Sequence, residues 1–207
     1  MRRFRALCLV PAALLLLSCA PSLIPAPTAE GIADVRSRSL TLTKESITIS
    51  VYADAWRYDP MDVDGAFTPF LVAISNNTGH DIAVHEDSVF MYDDNNVQYG
   101  VVPAEAVDRA TVSAYAYPPV VFWGGGYSEW NHWGMGWSPY HYPYDRYASD
   151  VVPLAFRFGP VTAGARIHGF IYLQRLATSI GRVKLVIAPT TVTGGAVSFT
   201  FPFVFEQ

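Results

Sequence analysis

Every second residue from position 197 to 205 is valine or phenylalanine: Val197, Phe199, Phe201, Phe203 and Phe205. Successive side chains of a strand point to opposite faces, so this spacing puts all of these groups on one side of an extended segment. A chain carrying such a strip must cover it with a second apolar surface. The same period recurs upstream. Ile47, Ile49 and Val51 alternate with Thr48, Ser50 and Tyr52, and Phe70, Val72 and Ile74 alternate within 67–75. Ile167, Gly169, Ile171 and Leu173 alternate with Arg166, His168, Phe170 and Tyr172, and Val183, Leu185 and Ile187 follow. Further short strands are expected at 82–84, 88–92 and 151–158. Asn76-Asn77-Thr78-Gly79 and Asp93-Asp94-Asn95-Asn96 supply turns between them, because Asn and Gly tolerate positive φ.

About eight short strands separated by turn signals, with one short helix at 104–111, predict an all-β antiparallel sandwich with Greek-key connections. A small closed barrel is the competing architecture. Pro202 cannot donate to a ladder, so its strand is expected at an edge or to carry a bulge. With 51% hydrophobic and 15% charged residues, the 207-residue chain can bury a sizeable core, which excludes wholesale disorder. Its only cysteines are Cys8 and Cys19, so the sandwich contains neither a disulfide nor a cysteine metal site.

The first residues read as an address. Arg2, Arg3 and Arg5 precede an apolar run over 6–17. That is a charged region followed by a hydrophobic region of about secretory length, and it is shorter than the roughly 20 apolar residues a membrane-spanning helix needs. The run ends in Leu16-Leu17-Ser18-Cys19-Ala20, which resembles the lipobox of bacterial lipoproteins. The resemblance implies diacylation of the Cys19 thiol (palmitate-type chains), cleavage before it, and acylation of the new amino terminus. Two or three acyl chains give stable membrane attachment. By the same resemblance, Ala20 in place of an aspartate implies the outer membrane, facing the periplasm.

Three parts follow: a signal peptide over 1–18, a lipidated Cys19 with a flexible tether over 19–38, and the sandwich over 39–207. Pro21, Pro25 and Pro27 make the tether extended. Cleavage removes three of the 14 basic residues, leaving 11 against 18 acidic ones and a formal net charge of −7. An acidic domain is repelled by polyanions and anionic headgroups. Nucleic acid is therefore excluded as a partner, and the lipid is expected to do the anchoring.

Two segments carry a further resemblance. The strand and turn Phe70-Leu71-Val72-Ala73-Ile74-Ser75-Asn76-Asn77-Thr78 and the later strand Gly164-Ala165-Arg166-Ile167-His168-Gly169-Phe170-Ile171-Tyr172 resemble small bacterial lipoproteins with a single immunoglobulin-like domain. This implies an immunoglobulin-like sandwich in the cell envelope and no particular activity.

The segment 115–147 breaks the pattern. Its 33 residues hold Trp123, Trp130, Trp133 and Trp137, seven tyrosines, five glycines and four prolines, against three charges at Glu129, Asp145 and Arg146. It is expected to be a long aromatic loop inserted in the sandwich, and loops of more than roughly 12–15 residues are functional or disordered. Four readings compete: a cover over apolar surface, a contact surface for an envelope protein, insertion at a membrane interface, and stacking on envelope sugars. The four tryptophans are the candidate binding residues.

Other constellations carry less. His80, Asp81, His85, Glu86 and Asp87 include metal-ligand types, but the histidine spacing fits no helical metal motif, and solvated turn charges are the expectation. Asp59, Asp62 and Asp64 before Gly65 lack the later glutamate of a calcium loop. Nucleophile elbow, phosphate-binding glycine loop and HExxH are all missing from the sequence. The expectation is a non-catalytic protein of the envelope with binding or scaffolding duties, without metal or cofactor. An envelope glycan-binding module using the loop tryptophans is the alternative.

Overall fold

The computed structural model describes residues 22–115, 149–176, 179–192 and 194–206. They form an all-β sandwich of antiparallel sheets. The first sheet runs in the order β1 (Ser22–Pro25), β13 (Phe199–Glu206), β11 (Arg182–Ile187), β7 (Val89–Asp93), β8 (Gln98–Gly100). The second runs β10 (Arg166–Gln174), β5 (Phe67–Asn76), β4 (Ile47–Ala53), β3 (Ser39–Lys44), β2 (Gly31–Asp34). A small third sheet, β12 (Thr190–Thr191), β6 (Ile82–Val84), β9 (Gly159–Val161), adds Ile82, Val84 and Val161 to the same core. The helices are α1 (Val63–Ala66) and α2 (Ala104–Tyr115). The second covers the expected 104–111 helix and runs four residues past it.

Alternation converts directly into burial. Ile47, Ile49, Val51 and Ala53 of β4 are buried while Thr48, Ser50 and Tyr52 are half-exposed. Phe199, Phe201 and Phe203 of β13 are fully buried. The Phe70 and Phe203 rings meet at 5.4 Å, which joins the inner faces of the two large sheets. Each such ring contributes roughly 1.5–3 kcal/mol by leaving water. On the outer face of the second sheet, Thr41 and Ser50 share a hydrogen bond of 2.7 Å, and Thr43 and Thr48 one of 3.0 Å.

Several expectations need correction. Residues 22–34, assigned to a flexible tether, hold two strands: β1 pairs with β13 and β2 with β3. The strand-forming part therefore starts at Ser22, not at residue 39. The prolines do not prevent this, because Pro25 ends β1. Pro202 is neither at an edge nor in a bulge: β13 lies between β1 and β11, and its register with β11 runs unbroken from Arg182↔Val204 to Ile187↔Phe199. The Pro202 carbonyl accepts from the Ala26 amide at 2.9 Å. A strand residue's N and C=O point the same way, so the missing N–H faces Ala26, just past the end of the short β1, and leaves the β11 ladder intact.

Residues 151–158 are not a strand. Residues 151–154 form a turn, and Ala155 makes a single parallel bridge to Phe170. Finally, Phe205 shares the period of Phe199, Phe201 and Phe203 but is only partly buried, packed at the margin of the core.

Candidate functional site

Cys19, Trp123, Trp130, Trp133 and Trp137, the residues the sequence singles out, lie outside the described residues. The structure does describe the platform from which the aromatic segment departs and to which it returns. The chain enters that segment from α2 and re-emerges at Ser149. Both flanks lie over the outer face of β10 and β5, where a second apolar cluster joins Trp56, Val63, Val107, Val151, Phe170 and Tyr172.

Strand β10 explains this second core. From Gly169 to Leu173 every residue is buried, so the strand is covered on both faces, and the polar-looking side of its alternation is not wet. Phe170 and Tyr172 meet the edge of Trp56 at 4.9 and 5.9 Å. The Trp56 Nε1–H donates to the Pro60 carbonyl at 2.8 Å, which fixes the ring while its apolar body is buried. The Tyr172 hydroxyl donates to the Val151 carbonyl at 2.9 Å. Burial, with a smaller contribution from Asp150, raises the Tyr172 pKa well above the ordinary phenol range, so this donor keeps its proton.

Further bonds tie the returning chain down. The Asp150 amide donates to the Asp59 carbonyl at 2.8 Å, and the Asp59 amide donates to Asp150 Oδ2 at 3.1 Å. The segment 154–156 is bonded to β10: Phe156 N–H donates to Phe170 O and Phe170 N–H donates to Leu154 O, both at 2.8 Å. On the α2 side, Val107 and Thr111 face inward, and the Thr111 hydroxyl returns to the Val107 carbonyl at 3.0 Å.

Beside the platform lies an open groove of about 330 Å³, lined by Val101, Pro103, Val152, Phe156 and Phe158, with Glu105 at its rim. Glu86 and Arg157 also line it, so its walls mix apolar and charged residues.

The histidine–carboxylate region resolves into turn chemistry. The Ser88 hydroxyl donates to the His85 carbonyl at 2.6 Å, and Asp81 Oδ1 accepts from the Ala163 amide at 3.0 Å. Asn76 is fully buried and fully satisfied: its Nδ2 donates to the His80 and Val161 carbonyls, each at 2.8 Å, and its Oδ1 accepts from the Thr78 amide and hydroxyl. Among the described residues, no group of three or more His, Cys, Asp or Glu side chains is placed to hold a metal ion. Among them too, no helix is long and apolar enough to cross a membrane.

Sequence reasoning missed the second core altogether. Trp56 is the one tryptophan of the sequence outside the aromatic segment, and two of the rings it packs against, Phe170 and Tyr172, lie more than 100 residues away. No protein family, curated protein or solved structure matches the chain.

Proposed function

We propose that this protein is a lipid-anchored component of the bacterial cell envelope, held through Cys19 in the outer membrane and facing the periplasm. Its role there is non-catalytic, binding or scaffolding an envelope protein through the aromatic segment 115–147. The observation that carries the reading is the basic start and apolar run ending at Leu16-Leu17-Ser18-Cys19. The antiparallel sandwich is compatible with the immunoglobulin-like domain that the two segment resemblances imply. A second support is the placement of the platform: both flanks of the tryptophan-rich segment sit on one apolar cluster over β10 and β5, the arrangement a presented contact loop needs.

The test is direct. Mass spectrometry of the membrane-extracted protein should show a chain beginning at Cys19 and carrying acyl groups. Cys19→Ala should leave an uncleaved signal or release the protein from membranes. An unmodified Cys19 in the mature protein overturns the anchor.

A further inference from the structure

A second candidate site lies beside the start of β1, next to Trp56 in the chain. Arg36, Ser37, Arg38, Asp54 and Arg57 line one open cleft of about 440 Å³. Arg36 and Ser37 lie in the turn between β2 and β3, and Asp54 and Arg57 follow β4. The β3–β4 hairpin brings the two connections together, with Ser39 opposite Tyr52.

The cleft is rigidly built. Arg38 donates to Asp54 Oδ2 at 2.7 Å, the same oxygen accepts from the Leu23 amide at 3.2 Å, and the Ala53 amide donates to the Arg38 carbonyl at 3.0 Å. Both Arg38 and Asp54 hold left-handed backbone conformations, with φ of 50° and 49°. Asp54 pairs with Arg38 and Asp34 lies beside Arg36, which leaves Arg57 as the arginine of the cleft without a carboxylate of its own.

The donors are largely unspent. Arg38 engages Asp54 through Nη1, Arg57 engages the Trp56 carbonyl through Nη1, and the exposed Arg36 side chain lies near the Asp34 carboxylate. Each guanidinium has five N–H donors in a fork that matches phosphate oxygens.

We infer that the Arg36–Arg38–Arg57 cleft binds a phosphate group, carried either by an anionic lipid headgroup or by a soluble phosphate. The headgroup source rests on the anchor at Cys19, but phosphate affinity does not. Cys19 stands three residues before Ser22, a reach of about 10 Å for extended chain. Leu23, whose amide touches Asp54, is the next residue. An anchored domain would thus carry this arginine-lined cleft close to the bilayer surface, although its net charge is negative.

The experiment uses the full-length chain in a non-ionic detergent. It is titrated by calorimetry with inorganic phosphate, with mixed micelles containing phosphatidylglycerol, and with micelles containing phosphatidylcholine. Saturable binding of phosphate or phosphatidylglycerol is expected. It should weaken about tenfold or more in the doubly substituted Arg36→Gln, Arg57→Gln chain, as loss of charge-assisted bonds predicts. Arg166→Gln, at the opposite end of β10, should bind as the parent does. Arg36→Gln alone, on an exposed turn, serves as the variant whose folding is not at risk.

Binding of phosphatidylglycerol alone identifies the headgroup as the source, and binding of inorganic phosphate alone identifies a soluble ligand. Phosphate binding that persists in Cys19→Ala while membrane attachment is lost separates this site from the anchor. Absence of saturable binding by both anionic probes overturns the site. So does binding that the double substitution leaves unchanged.

Discussion

Gly169 and Phe156 touch backbone to backbone: a Cβ at residue 169 would stand 2.5 Å from the Phe156 Cα and 2.6 Å from its nitrogen. The obstacle is main chain, held by the Phe156–Phe170 and Phe170–Leu154 bonds, so it cannot swing aside as a side chain would. Gly169→Ala should therefore destabilise the fold by about 2–3 kcal/mol through overpacking. Gly100→Ala, where a Cβ would meet nothing within 4 Å, should be close to neutral. Urea unfolding of the two variants checks this. Equal midpoints would show that the segment 154–156 is not fixed on β10.

Asn76 joins the end of β5 to β9 and to the turn at Thr78–His80. In Asn76→Asp, the two donors facing the His80 and Val161 carbonyls become an acceptor. A loss of about 2–4 kcal/mol is expected, since buried carbonyls left facing a carboxylate are expensive. Thr78→Val, in a less buried part of the same network, should cost under about 1 kcal/mol. Thermal unfolding of both variants gives the ranking, and a Thr78 effect as large as that at Asn76 contradicts it.

The turn after β7 gives a pH prediction. Burial alone would raise the Asp93 carboxyl, but amide donors from Val97 and Asn95, both at 2.8 Å, and the Tyr99 hydroxyl at 3.1 Å outweigh it and hold its pKa below the ordinary value of 3.8. A carboxylate lowered in the folded state stabilises above its unfolded pKa and loses that contribution as pH falls through the folded one. The Asp93→Asn chain should thus be less stable than the parent at neutral pH. The gap should narrow as pH drops below about 4. A gap independent of pH would mean that the turn does not depend on the charge.

The strands were legible wherever alternation ran for three or more pairs, as in β4, β5 and β13. It failed where partners rather than pattern decide the structure. Ser22–Pro25 and Gly31–Asp34 are too short to show a period, and they become strands because Phe203–Glu206 and Ser39–Leu42 offer open ladders. Phe170 and Tyr172 occupy the side of β10 that alternation assigns to solvent, and only the long-range arrival of Trp56 and Val151 buries them. The arginine cleft is invisible for the same reason: Arg38 and Asp54 are 16 residues apart, and a hairpin brings them together. Cys19, by contrast, rests wholly on local sequence.

The last prediction concerns the aromatic segment. Its flanks belong to a face whose members have partners outside the segment: Trp56 with Phe170 and Pro60, Tyr172 with Val151, and Asp150 with Asp59. Replacing residues 116–147 with a Gly-Ser linker should therefore leave cooperative unfolding in place. It should remove the envelope contacts, because one tryptophan buried at an interface contributes roughly 1.5–3 kcal/mol and this segment holds four. Thermal unfolding and crosslinking in intact envelopes are to be measured on the same variant. A chain that no longer folds makes the segment part of the second core, as a cover for Trp56 and Tyr172. A chain that folds and keeps every crosslinked partner of the parent removes the segment from the binding role, and the contact surface must then be sought elsewhere on the sandwich.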